Sequence, residues 1–384
     1  DRLTVTGTLD VRNGTLDVSE LSALTGGNYT IATATQVLGS FGSVTGLPAG
    51  YSVVYDDTSI VIRPTITFHV DAGAAPGGDG TTWATALDTI DEALALAGDG
   101  EEIWVKQGVH LPGEGSADPA STFDVPDGVQ LLGGFAGTET AASQRNPAAN
   151  LTVLSGDLGG DDIGKVGGIT TSPANIVGTN AYSVVTVSFA APVIDGFTIT
   201  GGSALLTPIG NPGGESRGGG VFIDTNFARV PTLSNCRLFG NEAVQGGAIF
   251  VHSNGGADIE SCDFRSNNAT GRGGAAYYWW SNVTTKNCNF SGNYAEDDGG
   301  AIFDDPQDKG TSLFVNCTLT GNHAVDGGGA INANTTGSSS AEMFNTLIWN
   351  NSAGRSPTIN NVVFYDFSNC LLENIASSAI GASN

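Results

Sequence analysis

Two sets of residues in this sequence combine a reactive or recognising side chain with regular spacing. The first is a series of thiols, Cys236, Cys262, Cys288 and Cys317, set 26, 26 and 29 residues apart. Thiols at such intervals could cross-link, hold a metal or fill a core. If each belongs to one turn of a stack, successive Cα atoms lie about 4.8 Å apart, within disulfide reach. All four would then point the same way, and pairing any two would disturb the stack. They therefore read as free, buried thiols acting as small hydrophobes. No CxxC occurs, and His69, His110, His252 and His323 are scattered, so no zinc or haem site is expected. The second set is aromatic: Phe250, Tyr277 and Phe303, with Trp279 and Trp280 beside them. Facing outward, these rings could stack on sugars or dock a partner. They could equally form a stripe covered by loops or another subunit.

Acidic residues offer a third possibility. Asp297, Asp298, Asp304, Asp305 and Asp308 fall within twelve residues. Convergent carboxylates of this density could hold calcium, which needs several oxygen ligands. Without an EF-hand or GGxGxD pattern, a solvated acidic loop is the competing reading. Asp157, Asp161 and Asp162 form a second acidic group. With 39 acids in the chain, carboxylate pairs suited to glycoside hydrolysis are always findable and carry no information. Polysaccharide lyases abstract a proton with Lys or Arg. The bases of the repeat region (Arg217, Arg237, Arg265, Arg272, Lys286, Lys309) are few and read as sharing no column. No Ser-His-Asp order, phosphate loop or dinucleotide signature is present, so no catalytic residue is assigned.

The same spacing dictates the elements that must carry these groups. Two positions after each Cys stands Leu238, Phe264, Phe290 or Leu319, and five positions after it stands Asn241, Asn267, Asn293 or Asn322. A Gly pair and Ala follow: Gly246-Gly247-Ala248, Gly273-Gly274-Ala275, Gly299-Gly300-Ala301 and Gly328-Gly329-Ala330. A degenerate unit precedes the series, with Phe197 in the Cys position and Gly219-Gly220-Val221 as its Gly segment. Another follows, with Thr346, Ile348 and Asn351. One unit is too small for a core, but stacked copies bury each inward residue on its counterpart in the next turn. The predicted element is a β-solenoid coil with parallel neighbours. Alternation sends Cys and its +2 partner inward. Asn at the turn can hydrogen-bond along the axis to the next Asn, and the Gly pair supplies a tight corner. Past the Gly pairs, Phe222, Ile249, Ala276, Ile302 and Ile331 read as inward. Ile223, Phe250, Tyr277, Phe303 and Asn332 read as outward.

Composition sets the outer bounds. The chain has 384 residues, 40% of them hydrophobic and 56 of them Gly, with 14 basic against 39 acidic residues and a net charge of −25. That supports a folded core and excludes nucleic-acid binding. It also repels polyanions and acidic membranes. No segment suits membrane insertion. Residues 1–66 alternate apolar and polar positions between NG, GG and PAG turns and read as a small N-terminal β module. Residues 67–100 hold an opening strand and one helix over Thr85–Ala97. Its apolar face, Leu87, Ile90, Leu94 and Ala97, is expected to cap the end of a solenoid that spans 67–384, with the repeats over 190–355.

The repeats NCRLFGNEAVQGGAIF, SCDFRSNNATGRGGAAY, NCNFSGNYAEDDGGAIF and NCTLTGNHAVDGGGAIN resemble those of chlamydial polymorphic outer-membrane proteins and related bacterial surface proteins. HVDAGAAPGGDGTTWATALDTIDEALALAGDGEEIWVKQGVHLP and GVQLLGGFAGTETAASQRNPAANLTVLSGDL resemble the N-terminal part of the same group. GSFGSVTGLPAGYSVVY more loosely resembles autotransporter-like passengers. The resemblance implies an all-β, right-handed parallel β-helix, secreted or on the cell surface, with a structural or adhesive role. A carbohydrate-active β-helix, lyase-like or sugar-binding, is the alternative. The chain begins without Met, as a processed form or excerpt would. No barrel follows the repeats and SSAIGASN is too small to cover a coil. The expected partners are downstream sequence or other copies of the chain, stacked with calcium or salt, and surface carbohydrate.

Overall fold

The computed structural model describes residues 2–12, 14–18, 27–48, 50–205, 216–225, 229–252, 255–306, 310–334, 340–355, 359–360 and 365–373. From Thr67 onward the chain winds through three long sheets in which every pairing is parallel. One has ten strands from Thr67–Val70 to Tyr365–Ser368. The second has nine from Gly108–His110 to Leu371–Leu372, and the third has eight from Phe123–Asp124 to Ile359–Asn360. A fourth sheet of two-residue strands runs from Ser203–Ala204 to Ser352–Ala353. The protein is a parallel β-helix.

Its interior is one continuous cluster from Phe68 to Ile359. Ile199, Leu238, Phe264, Phe290, Leu319 and Ile348 stand in register on successive coils of the second sheet, all inside. The Phe264 and Phe290 rings stack with centroids 4.6 Å apart. Cys236, Cys262, Cys288 and Cys317 are free and buried one step earlier in each coil. Each thiol donates to a main-chain carbonyl, as Cys288 Sγ does to Lys286 O. Burial pushes the Cys262 thiol well above its ordinary pKa and the Cys317 thiol up to about 12. The residue before each Cys turns the corner in the left-handed region, where Asn is among the least strained side chains. Asn235, Asn287 and Asn316 have φ of 51–55°.

The next corner carries a buried asparagine ladder. Asn267 Nδ2 donates to Leu238 O at 2.8 Å and to Asn293 Oδ1 at 3.0 Å, and Asn293 Nδ2 repeats this to Phe264 O and Asn322 Oδ1. The ladder runs from Asn241 to Asn351 and satisfies corner groups that no strand pairing reaches. At the Gly pair the first Gly has positive φ, 63° at Gly246 and 71° at Gly299. The second leaves no space for a side chain: a Cβ on Gly274 would lie 2.2 Å from Gly300 O.

The helix is shorter than the periodicity predicts. It spans Ile90–Leu96, with the Thr89 hydroxyl accepting from Glu92 N–H. Thr85–Asp88 cannot join it because Leu87 is drawn into a parallel bridge with Val70. The apolar face still closes the solenoid end through Leu87, Ile90, Ala93 and Leu94.

Residues 2–64 hold a separate apolar cluster around Val53, Ile60 and Ile62. Leu3, Thr8 and Thr15 pair in parallel with Ala32, Gln36 and Ser43, so this segment also contains two stacked rungs, followed by the antiparallel hairpin Tyr51–Asp56 and Ser59–Pro64. Glu101, fully buried, joins hairpin and cap: it accepts from Ser52 Oγ, Arg63 Nη2 and the N–H groups of Ile66 and Gly98.

Candidate functional site: an aromatic face on the third sheet

The third sheet sends alternate residues to opposite faces. Val221, Ile249, Ala276, Ile302 and Ile331 form one inward column. Phe222, Phe250, Tyr277, Phe303 and Asn332 form the outward one. This corrects the first unit by one residue. Its Gly pair is Gly218-Gly219, with Gly218 at φ 59° and Gly220 in the place of Ala248, so Phe222 lies outside and Ile223 inside. Three consecutive glycines made that alignment ambiguous in the sequence.

Phe250, Tyr277 and Phe303 therefore face away from the solenoid core, but they are not an exposed platform. With Phe222 they form a second apolar cluster, all buried, with Trp279 packed against it. Ring centroids follow at 6.0, 5.0 and 4.9 Å from Phe222 to Phe303. Two guanidinium groups lie across them. Arg217 Cζ is 5.0 Å from the centroids of both Phe250 and Trp279, and Arg272 Cζ is 4.8 Å from Phe303. Burial, with Asp305 nearby, pushes the Tyr277 phenol up to about 12.

Arg217 and Arg272 belong to one column after all, with Gln245 between them and Asp298 next. The signal was present as Arg217-Gly218-Gly219-Gly220-Val221-Phe222 and Arg272-Gly273-Gly274-Ala275-Ala276-Tyr277. Strand alternation tells which side a ring faces; it does not tell what lies over it.

On the other flank stand Asp224, His252, Trp279, Asp305 and Asn334, two residues beyond the aromatic column. His252 Nδ1 donates to Asp224 Oδ1 at 2.8 Å, and its ring lies 4.9 Å from Trp279. Trp279 is half-buried, whereas Trp280 is 41% exposed at φ 52° with its ring 5.9 Å from Trp279. The accessible part of the face is thus Trp279, Trp280 and the polar groups of both flanks.

The four described aspartates near residue 300, Asp297, Asp298, Asp304 and Asp305, do not converge. Asp304 points into the solenoid, where Ser312 Oγ donates to it at 2.7 Å, while Asp305 faces outward and accepts from Asn334 Nδ2. Strand alternation separates the two, and Asp298 lies 3.8 Å from Arg272 Nε while Asp297 is exposed. Asp308 lies outside the described residues. Among the described residues no three His, Cys, Asp or Glu side chains are grouped to hold a metal. Asp157 and Asp162 pin their own loop: Asp157 pairs with Lys165, and Asp162 accepts from Thr170, Val177 N–H and Asn180.

A groove of about 690 Å³ lies between residues 10–56 and the solenoid. Asp99, Asp124, Arg229, Phe41, Tyr55 and Phe189 are on its walls. Surrounding protein raises the carboxyl pKa of both Asp99 and Asp124; Arg229 opposes this at Asp99 and a Thr186 hydrogen bond at Asp124. Arg229 is itself paired with Asp127.

Residues 287–304 match the Chlamydia polymorphic membrane protein (Chlamydia_PMP) repeat. A search of curated proteins found no match. Among solved structures, the tailspike protein gp49 of Acinetobacter baumannii bacteriophage Fri1, a capsular polysaccharide depolymerase, aligns at 12% identity and a TM-score of 0.32, over 97% of this chain and 76% of its own. A TM-score this low assigns nothing to this chain.

Proposed function

We propose that the protein is a secreted or cell-surface structural β-helix with an adhesive face, and that the face is the Arg217–Trp279–Trp280 side of the third sheet. The observation that carries this is the second apolar cluster. The solenoid core is complete without it, so the coil stack alone gives no reason for aromatic residues on four successive coils outside. Rings beside arginine and a histidine–aspartate pair suit a ligand with both a flat apolar side and hydroxyl groups, which is the chemistry of a sugar. The surface-protein repeat at 287–304 supports the location. Immobilised full chain is to be tested against a panel of glycans. Trp279→Ala and Trp280→Ala should each lower binding at least tenfold; unchanged binding by both variants refutes the assignment.

The groove favours a second reading, a carbohydrate-active β-helix. Two carboxyl groups raised in pKa beside an arginine are the parts an acid–base site needs. Incubation with polysaccharides separates the two. New reducing ends that disappear in both Asp99→Asn and Asp124→Asn favour the enzyme, and binding without cleavage favours the adhesive protein. End-to-end stacking of copies belongs to the structural role, and its sign is a particle size that grows with salt or calcium.

A further inference from the structure

This chain is short of positive charge, and it uses nearly all it has. Among the described basic residues nine stand in ion pairs with carboxylates. Arg2, Arg237 and Lys286 extend into solvent. Arg217 does neither. Among the described residues it is half-buried, stands in no ion pair, and has its Nη1 enclosed without a hydrogen-bond partner. An enclosed guanidinium that gives up water for aromatic faces alone is costly. Burial pulls its pKa down, and Tyr277 and Asp224 act against that.

The surroundings of Arg217 describe the missing partner. Trp279 offers a partly exposed ring 5.0 Å away, and His252 is held in orientation by Asp224. On the N-terminal side, a pocket of about 240 Å³ is lined by Thr122, Tyr182, Ser183, Thr186, Ser188 and Phe222. Ser183 Oγ donates to the main-chain Arg217 O at 3.2 Å, so the pocket adjoins the Arg217 backbone. Thr122 Oγ1 is buried there with no partner. Hydroxyl-bearing walls, an unpartnered hydroxyl, a ring and one free cation together fit a sugar with a carboxylate. Asp224, Asp298 and Asp305 flank the face, and the whole chain carries −25. A polyanion is therefore repelled, whereas one carboxylate can be matched by one guanidinium.

We propose that this face binds a single carboxylate-bearing sugar at the end of an otherwise neutral glycan, Arg217 pairing the carboxylate, Trp279 stacking on the ring and the pocket taking the adjoining neutral residue. This rests on the carbohydrate reading of the same face and adds the charge and placement of the ligand. The test is titration of the full chain with sialyllactose, lactose and oligogalacturonate. Sialyllactose should bind about tenfold or more tightly than lactose, with affinity falling as salt rises, and oligogalacturonate should bind less well than sialyllactose. Arg217→Met, which keeps the apolar stem over Phe250, should bring sialyllactose down to the level of lactose. Equal binding of lactose and sialyllactose overturns the acidic-sugar proposal and leaves the carbohydrate reading standing. Preferred binding of oligogalacturonate, or competition by free sulfate as strong as by sialyllactose, also overturns it. If no glycan binds the wild-type chain, the carbohydrate reading itself fails. Trp279→Ala serves as the second variant. It should weaken sialyllactose, whose acidic ring it stacks on, and unchanged sialyllactose binding would contradict ring stacking.

Discussion

Replacing Asn293 by Ala tests whether the asparagine ladder or the strand pairing holds the corners. Asn293 Oδ1 accepts from Asn267 N–H at 3.1 Å and Asn267 Nδ2 at 3.0 Å, while its own Nδ2 donates to Phe264 O and Asn322 Oδ1. All four bonds are buried, and at about 1 kcal/mol each their loss comes to roughly 4 kcal/mol. Asn267 N–H is left with no acceptor, while Asn267 Nδ2 keeps Leu238 O and Asn322 Oδ1 keeps Asn293 N–H. Hydrogen exchange reads the effect locally: protection of the Asn267 amide should drop by about 10²–10³-fold, and the denaturation midpoint should fall with it. Asn293→Asp keeps the acceptor but replaces the donor with an oxygen that faces Phe264 O and Asn322 Oδ1. Its carboxyl pKa should rise in the folded state, so this variant should be most stable below the ordinary carboxyl value and lose that stability as pH rises through the raised one. Asn316→Gly is the control, since that asparagine contributes only exposed bonds, donating to Asn287 and accepting from Asn345, and its φ of 55° suits Gly. It should cost under about 0.5 kcal/mol. A loss below about 1 kcal/mol in Asn293→Ala, as when water takes over the carboxamide's bonds, would refute the claim that this ladder secures the corner.

Three further outcomes follow from burial and charge. A bulky thiol reagent should leave Cys236, Cys262, Cys288 and Cys317 untouched in the native chain and label only the partly buried Cys370, whereas denaturant should expose all five; mass spectrometry counts the adducts. Arg63→Ala strips the main cation from fully buried Glu101 and should cost about 3–5 kcal/mol, read as earlier melting of residues 2–66 by exchange. At Glu139 burial opposes ionisation, but N–H groups of Ala136, Gly137 and Thr138 outweigh it and hold the carboxyl below its ordinary pKa. The stability it adds should therefore be full above that ordinary value and be lost as pH falls through the lowered one, with Glu139→Gln removing this acid dependence.

What was legible in the sequence is what the period constrains. A residue facing the interior meets its own counterpart one coil away, so Cys236 to Cys317 and Asn241 to Asn322 must repeat in type, and repetition is visible without coordinates. Residues facing outward meet no such demand. Phe250 is followed by Tyr277, Phe303 and then Asn332, and Arg217 by Gln245, Arg272 and Asp298. Their contacts run diagonally across coils, as Arg217 reaches Phe250 and Trp279, and no single interval encodes a diagonal. The described aspartates near residue 300 show the converse: density along the chain is not convergence, because adjacent strand residues such as Asp304 and Asp305 must point apart. The two stacked rungs before residue 48 escaped notice because they share neither the Cys nor the Gly pair, only short alternating strands about 28 residues apart. In a solenoid, then, regularity marks the positions that hold the coils together. Candidate sites are better sought where a column breaks its own pattern, and Arg217 with its unpaired charge is such a break.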